Sequence, residues 1–202
     1  MNMDEMFRSY GLVSISKIDP SILIELKYAT EDNFMGMNMY GHLDDAYFVP
    51  EIAERLSYAQ TSLQKDHPEM SFLIYDAARP MSIQRRMFES VRGTDQEIYV
   101  ASPLMGGGYH NYGLAVDLTI VDGDLKPLDM GTGFDSFNSA SHVDNEEYLV
   151  ESGQITPVAK SNRDLLRKYM IAAGFDQNPT EWWHFQRYSK EEMISSFNLL
   201  DF

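Results

Sequence analysis

His110-Asn111-Tyr112-Gly113-Leu114-Ala115-Val116-Asp117-Leu118-Thr119-Ile120 decides how the chain is read. After Gly113, the aliphatic residues Leu114, Val116, Leu118 and Ile120 alternate with Ala115, Asp117 and Thr119. That period of two belongs to a strand with an aliphatic face and a second face carrying Asp117. Asp122-Gly123 then marks a turn. His110 lies seven positions before Asp117, and a single strand would put residues at that odd spacing on opposite faces. The two meet if Asn111-Tyr112-Gly113 reverses the chain and neighbouring strands carry one of them each.

Upstream, Phe72-Leu73-Ile74-Tyr75 reads as a short buried strand, with Arg79 just past its end and Pro80 as a breaker. Ser82 is expected to cap a helix reaching Val91. Ile52, Leu56, Ala59 and Leu63 recur at helical spacing behind Pro50, which predicts an amphipathic helix over 51–65. Residues 21–29 read as a strand ending near Tyr28, followed by a loop through Asp32, Asn33 and Gly36. Downstream, 93–108 is a glycine-rich loop and 125–159 is mostly loop. A helix is expected over 162–173, stopped by Gly174. Glu181-Trp182-Trp183-His184-Phe185 reads as a strand, in which Glu181 and His184 share a site only if Glu181 lies at the strand mouth, off the regular pleat. Strands and helices without regular alternation favour an α+β fold.

The 202 residues carry no internal repeat and no linker-like segment, and fit one domain over 1–202. A formal charge of −15 argues against binding to nucleic acid or anionic membrane surfaces. No apolar run is long enough to span a membrane, so the chain reads as soluble, with cytoplasm and periplasm both open. With no cysteine, thiolate ligands and thiol nucleophiles are excluded, and any metal must be held by the five histidines and the carboxylates. His110, Asp117 and His184 are a nitrogen and carboxylate set suited to tetrahedral zinc, with a fourth position open as in catalytic sites. Taken singly, any two histidines and an aspartate are more often capped, paired or solvated than ligands.

The spacing His110-x-x-Gly113-x-Ala115-x-Asp117, followed by Glu181-x-Trp183-His184, resembles the VanX-type D-alanyl-D-alanine dipeptidases. The likeness continues through Lys27-Tyr28-Ala29-Thr30, Tyr75-Asp76, Arg79-Pro80, Met130-Gly131, Phe134-Asp135 and Ser141-His142, covering about residues 20–188. Several separated motifs in one order are far more specific than any one of them. The resemblance implies a central, mostly antiparallel sheet flanked by helices, with one zinc ion at the sheet on His110, Asp117 and His184. It implies Glu181 as general base and acid, Arg79 as the cation facing the oxyanion, Asp135 as partner of the substrate's free amino group, and Tyr28 as a pocket-lining residue. The reaction would be hydrolysis of D-alanyl-D-alanine or a closely related small dipeptide.

One position departs from the family: Gly108, within Gly106-Gly107-Gly108, stands where the family carries a serine that helps bind the amino end. Trp182 and Trp183 read as core. His142 reads as a surface residue or a support to the site, and His42 and His67 as solvated. Two other functions stay open. One is a D,D- or L,D-carboxypeptidase or endopeptidase acting on peptidoglycan stems. The other is a zinc-containing binding module without turnover, against which an intact Glu181 and Arg79 speak.

Overall fold

In chain order the computed structural model, which describes residues 2–202, runs α1 (Met3–Ser9), β1 (Val13–Ser14), α2 (Ile15–Ile18), β2 (Leu23–Ile24), β3 (Tyr47–Phe48), α3 (Pro50–Asp66) and β4 (Ser71–Asp76). It continues with α4 (Met81–Val91), β5 (Ala115–Val121), α5 (Glu146–Glu151), α6 (Pro157–Ala172), β6 (Asp176–Gln177), β7 (His184–Gln186) and α7 (Lys190–Ser196). The central sheet has the order β2-β4-β5-β7-β6. Only β2 and β4 pair in parallel; the other three pairings are antiparallel. This is the α+β architecture expected, with β1 and β3 forming a separate antiparallel pair.

The alternation along β5 sorts its side chains as expected. Val116, Leu118 and Ile120 enter the main core with Phe72, Ile74, Leu56, Leu63, Leu166 and Met170. Each such fully buried aliphatic contributes about 1.5–3 kcal/mol relative to exposure. The opposite face carries Asp117 and Thr119, and Val121 there packs with Leu73 and Tyr75 in a smaller cluster that Phe134 covers. No helix among the described residues is long and apolar enough to cross a membrane.

Helices α3 and α6 pack against each other behind the main core. Pro50 opens α3 at its first turn, and Pro157 does the same for α6, whose cap is the Thr156 hydroxyl accepting from Ala159 N–H. That cap starts α6 five residues before the predicted Asn162. Pro80, not Ser82, is the N-cap of α4, and Ser82 lies inside the first turn. The stretch 125–159 also contains α5, anchored by buried Glu146 and Leu149. Residues 21–29 form only the two-residue β2, which pairs in parallel with Leu73 and Ile74 of β4. The chain then winds into a 3-10 turn, Lys27–Ala29, that turns Tyr28 inward.

Candidate active site

Where β4 ends, β5 begins and β7 begins, three irregular segments converge on the sheet: residues 77–80, the 3-10 turn Tyr109–Tyr112 and the turn before His184. Asp117 and His184 are register partners on β5 and β7. Leu118 N–H donates to Trp183 O, so the neighbouring pair 117/184 is non-hydrogen-bonded, the position where facing side chains approach most closely. His110 arrives from the 3-10 turn and not from a strand, which resolves the odd spacing differently from the reversal expected. Gly113 ends that turn at φ +70°, and a Cβ there would meet Leu12 Cδ2 at 3.0 Å, so glycine is required.

The three side chains are buried, and their ligand atoms lie within 4.8 Å of one another. His110 Nδ1 is 2.7 Å from Ala77 O, a carbonyl that only accepts, so Nδ1 carries the proton and Nε2 faces inward as an acceptor. His184 Nε2 is 3.0 Å from Gln186 Oε1; with the amide turned this way Nε2 donates to it and Nδ1 is the inward acceptor. His110 Nε2 and His184 Nδ1 are 3.2 Å apart, and Asp117 lies 3.3 Å and 3.0 Å from them. Acceptors that converge on one point repel unless a cation sits among them, so the set fits a metal ion. Burial alone would lower the His110 pKa, but Asp117 outweighs it and the net direction is upward. The pairing with both histidines likewise holds Asp117 well below the usual carboxylate range against the upward push of burial.

Arg79 is buried beside this set and is held on both sides. Its Nε donates to Asp76 Oδ2 at 3.0 Å, Nη2 pairs with the same carboxylate, and Nη1 donates to Gln84 Oε1 at 3.0 Å. Tyr40 OH donates to the other Asp76 oxygen at 2.6 Å. The guanidinium lies 5.1 Å from the Tyr28 ring centre. Burial would lower its pKa, but Asp76 prevails and keeps it cationic. A register shift after Ile74 sets Asp76 opposite Asp117, one strand irregularity serving both groups.

Glu181 lies in the turn before β7, as its shared site with His184 demands: His184 N–H donates to Glu181 O at 3.2 Å, closing a tight turn. Asn178 Nδ2 donates to Glu181 Oε2 at 3.0 Å, and that oxygen is 3.8 Å from His184 Nδ1. Burial, partly offset by His184, pushes the Glu181 carboxyl up to about 8. Asp135 accepts from Tyr28 OH at 3.0 Å on each oxygen and from Phe34 N–H at 3.3 Å. Burial raises it to about 7 despite those donors. All seven residues singled out from the sequence line one cavity of about 270 Å³, small for a ligand pocket.

Gly108 is part of its wall, and a Cβ there would meet Ala101 Cβ at 3.0 Å. Trp182 and Trp183 are both buried as expected, and Trp183 also lines the cavity. His142 is not among the ligands; its Nε2 lies 3.0 Å from Tyr99 OH. The supporting residues Tyr40, Gln84, Asn111, Asn178 and Gln186 were not singled out from the sequence. Asn111 donates to Arg79 O at 2.8 Å and accepts from Gly108 N–H at 2.8 Å, so it ties the arginine to the glycine loop.

The family model described as D-ala-D-ala dipeptidase matches residues 8–198. A D-alanyl-D-alanine dipeptidase of Escherichia coli (strain K12) is 34% identical over 180 residues, 87% of this chain and 83% of its own length. Proteins of the same name from Enterococcus faecium and Streptomyces coelicolor are each 26% identical, over 87% and 85% of this chain and 90% and 88% of their own lengths. With a match across nearly its whole length and a buried ligand set fit for a metal ion, the chain belongs to the D-ala-D-ala dipeptidase family of metallopeptidases.

Proposed function

We propose that the chain, as one domain over 1–202, hydrolyses D-alanyl-D-alanine or a closely related small dipeptide, with one zinc ion held by His110 Nε2, Asp117 and His184 Nδ1. Zinc suits two imidazoles and a carboxylate and, when bound, supplies Lewis acidity and a water ionisable near neutral pH. The observation that carries the reading is the sharing of one small cavity by the ligand set, the raised Glu181 carboxyl, the fixed Arg79 and the Asp135 carboxylate.

Glu181 takes the proton of the attacking water and delivers it to the leaving amine, working at the oxygen that Asn178 steadies. Burial pushes its carboxyl up to about 8, close enough to neutral pH for one group both to accept and to return a proton. Arg79 faces the oxyanion that develops from the peptide carbonyl; because Asp76 and Gln84 already hold it, little reorganisation accompanies the reaction. Asp135 pairs with the substrate's ammonium, and the Tyr28 hydroxyl fixes both carboxylate oxygens for that contact. At Gly108 this chain forgoes the family's hydroxyl, and the 3.0 Å approach of Ala101 to a Cβ there leaves no room for serine without a shift of the wall. The amino end therefore rests on Asp135.

The test is hydrolysis of the four stereoisomers of alanyl-alanine by the purified protein, with zinc content measured alongside. Turnover confined to the D,D isomer is expected, abolished by a chelator and restored by zinc. Hydrolysis of the L,L isomer alone, or full turnover after metal removal, overturns the reading.

A further inference from the structure

The side of the cavity next to Asp135 is closed by rings from three separate segments. Tyr28 and Phe34 meet edge to face with centroids 6.1 Å apart, Phe34 and Phe137 are 5.1 Å apart, and Phe137 and Tyr99 stack at 5.0 Å with their planes 5° from parallel. The Tyr99 hydroxyl then reaches His142 Nε2 at 3.0 Å. Tyr28, Phe34, Tyr99 and Phe137 all line the cavity, and Asp135 lies two residues from Phe137 on the same loop. Tyr99 belongs to the glycine-rich stretch 93–108, whereas Phe137 and His142 belong to the stretch before α5. The stack and the hydroxyl bond thus join the two irregular segments across the cavity.

We propose that Tyr99 and Phe137, latched by His142, are specificity-determining residues that close the amino-terminal end of the peptide site and so limit substrates to those ending in a free amine. The inference rests on the reading of Asp135 as the amine's partner. A chain continuing beyond that amine, or an acyl group on it, would have to occupy the space that Phe34 and Phe137 fill beside the carboxylate. Offset and edge-to-face rings at these distances attract one another beyond simple area burial, so the wall resists being parted. Tyr99 and Phe137 are only part-buried and lie outside the sheet, Phe137 packing against the edge of the main core.

The experiment compares free D-alanyl-D-alanine with N-acetyl-D-alanyl-D-alanine in the wild type and in Tyr99→Ala, Phe137→Ala and Tyr99→Phe. Acrylamide quenching of the Trp182 and Trp183 emission reads the opening of the wall without reference to turnover. The ratio of kcat/KM for the acetylated over the free peptide is expected to rise about 10-fold or more in the two alanine variants, the scale on which pocket contacts discriminate. Quenching should rise with it, since Trp183 is 1% exposed and lines the cavity. Tyr99→Phe keeps the stack and loses the bond to His142, so a smaller rise of the same sign is expected. An unchanged ratio in both alanine variants overturns the proposal, whether or not quenching has risen. Failure of the wild type to cleave the free dipeptide would instead sink the proposed function, and quenching would still judge the wall: unchanged accessibility in both alanine variants shows that the rings do not close it.

Discussion

Replacing Asp135 by asparagine should weaken the use of free dipeptide and at the same time stabilise the protein at alkaline pH. The carboxyl titrates at about 7 in the folded chain, against an ordinary value of 3.8, because burial disfavours its charge more than Tyr28 and Phe34 N–H favour it. A carboxyl whose folded pKa is raised contributes stability that is fully present below about pH 3.8 and lost as the pH rises through about 7. From pH 7 down to pH 5 the native protein's excess over the unfolded chain grows from half a proton to nearly a whole one, worth up to about 1.4 kcal/mol per pH unit, so wild type gains roughly 2 kcal/mol from this group on that descent. Water at the cavity mouth screens part of it, and about 1–3 kcal/mol is the working range.

Asparagine keeps the shape and has no such titration. In urea unfolding, the stability difference between Asp135→Asn and wild type should therefore shift by about 1–3 kcal/mol in favour of wild type between pH 8 and pH 5. The same variant should raise KM for the free dipeptide with little loss of bound metal, since Asp135 is not among the inward acceptors of the ligand set. A stability difference independent of pH would refute the account of the buried charge, and an unchanged KM would refute the amine contact.

Glu181→Gln should keep its metal while turnover falls by roughly 100-fold to 10,000-fold, the loss typical of removing a general base; near-normal turnover with zinc present would place the base elsewhere. His184→Ala should bind less than one equivalent of zinc after dialysis, measured by elemental analysis, and full retention would exclude His184 as a ligand. Tyr40→Phe removes the hydroxyl that orients Asp76 and, through it, Arg79; a kcat loss of about 10-fold with KM nearly constant is expected, and an unchanged kcat would show that Asp76 needs no such support. Arg163→Met should destabilise the protein by about 3–5 kcal/mol in urea unfolding, because the fully buried guanidinium bonds to Met130 O, Ala140 O and His142 O and faces Glu146. A loss below 1 kcal/mol would mean that the loop carrying Asp135 is held by other contacts.

What the sequence made legible follows from what kind of signal each residue carries. Asp117 stands out because a charge interrupts an aliphatic alternation, and His110 and His184 because histidine is scarce in this chain. The parity of Glu181 and His184 even dictated a turn at the strand mouth, which the Glu181 O to His184 N–H bond supplies. Tyr40, Gln84, Asn111 and Gln186 carry no such mark. Their role is set by a partner elsewhere in space, such as Tyr40 with Asp76 across 36 positions, and a polar residue in a loop or helix looks the same with that partner or without it. The boundary of β2 was illegible for a related reason, since which of residues 21–29 pair is set by their register against β4, a partner outside the segment. The missed start of α6 is different in kind: Thr156-Pro157 is a cap and first-turn proline that local rules can read.

The charges around the cavity explain why raised pKa values and substrate choice belong together. Asp117, Asp135 and Glu181 line it, and of the two cationic side chains in its wall Lys190 is exposed while buried Arg79 is already engaged by Asp76 behind it. Left with a surplus of buried carboxyls, the site raises the two that have the weakest cationic support, Glu181 to about 8 and Asp135 to about 7. On the proposed reading, a divalent ion on the His-Asp-His set and an ammonium at Asp135 supply the missing positive charge from two directions. A substrate whose amine is acylated brings no charge to Asp135, so it meets an uncompensated carboxylate as well as the aromatic wall beside it. The two barriers separate by pH: burial raises the Asp135 carboxyl, so lowering the pH neutralises it and its electrostatic preference for the ammonium fades, while the steric closure by Phe137 and Tyr99 persists. Discrimination against the acetylated peptide should therefore weaken, but not vanish, between pH 8 and pH 6 in the wild type, and nearly vanish at pH 6 in Phe137→Ala. A discrimination constant across that range would mean that charge at Asp135 has no part in it.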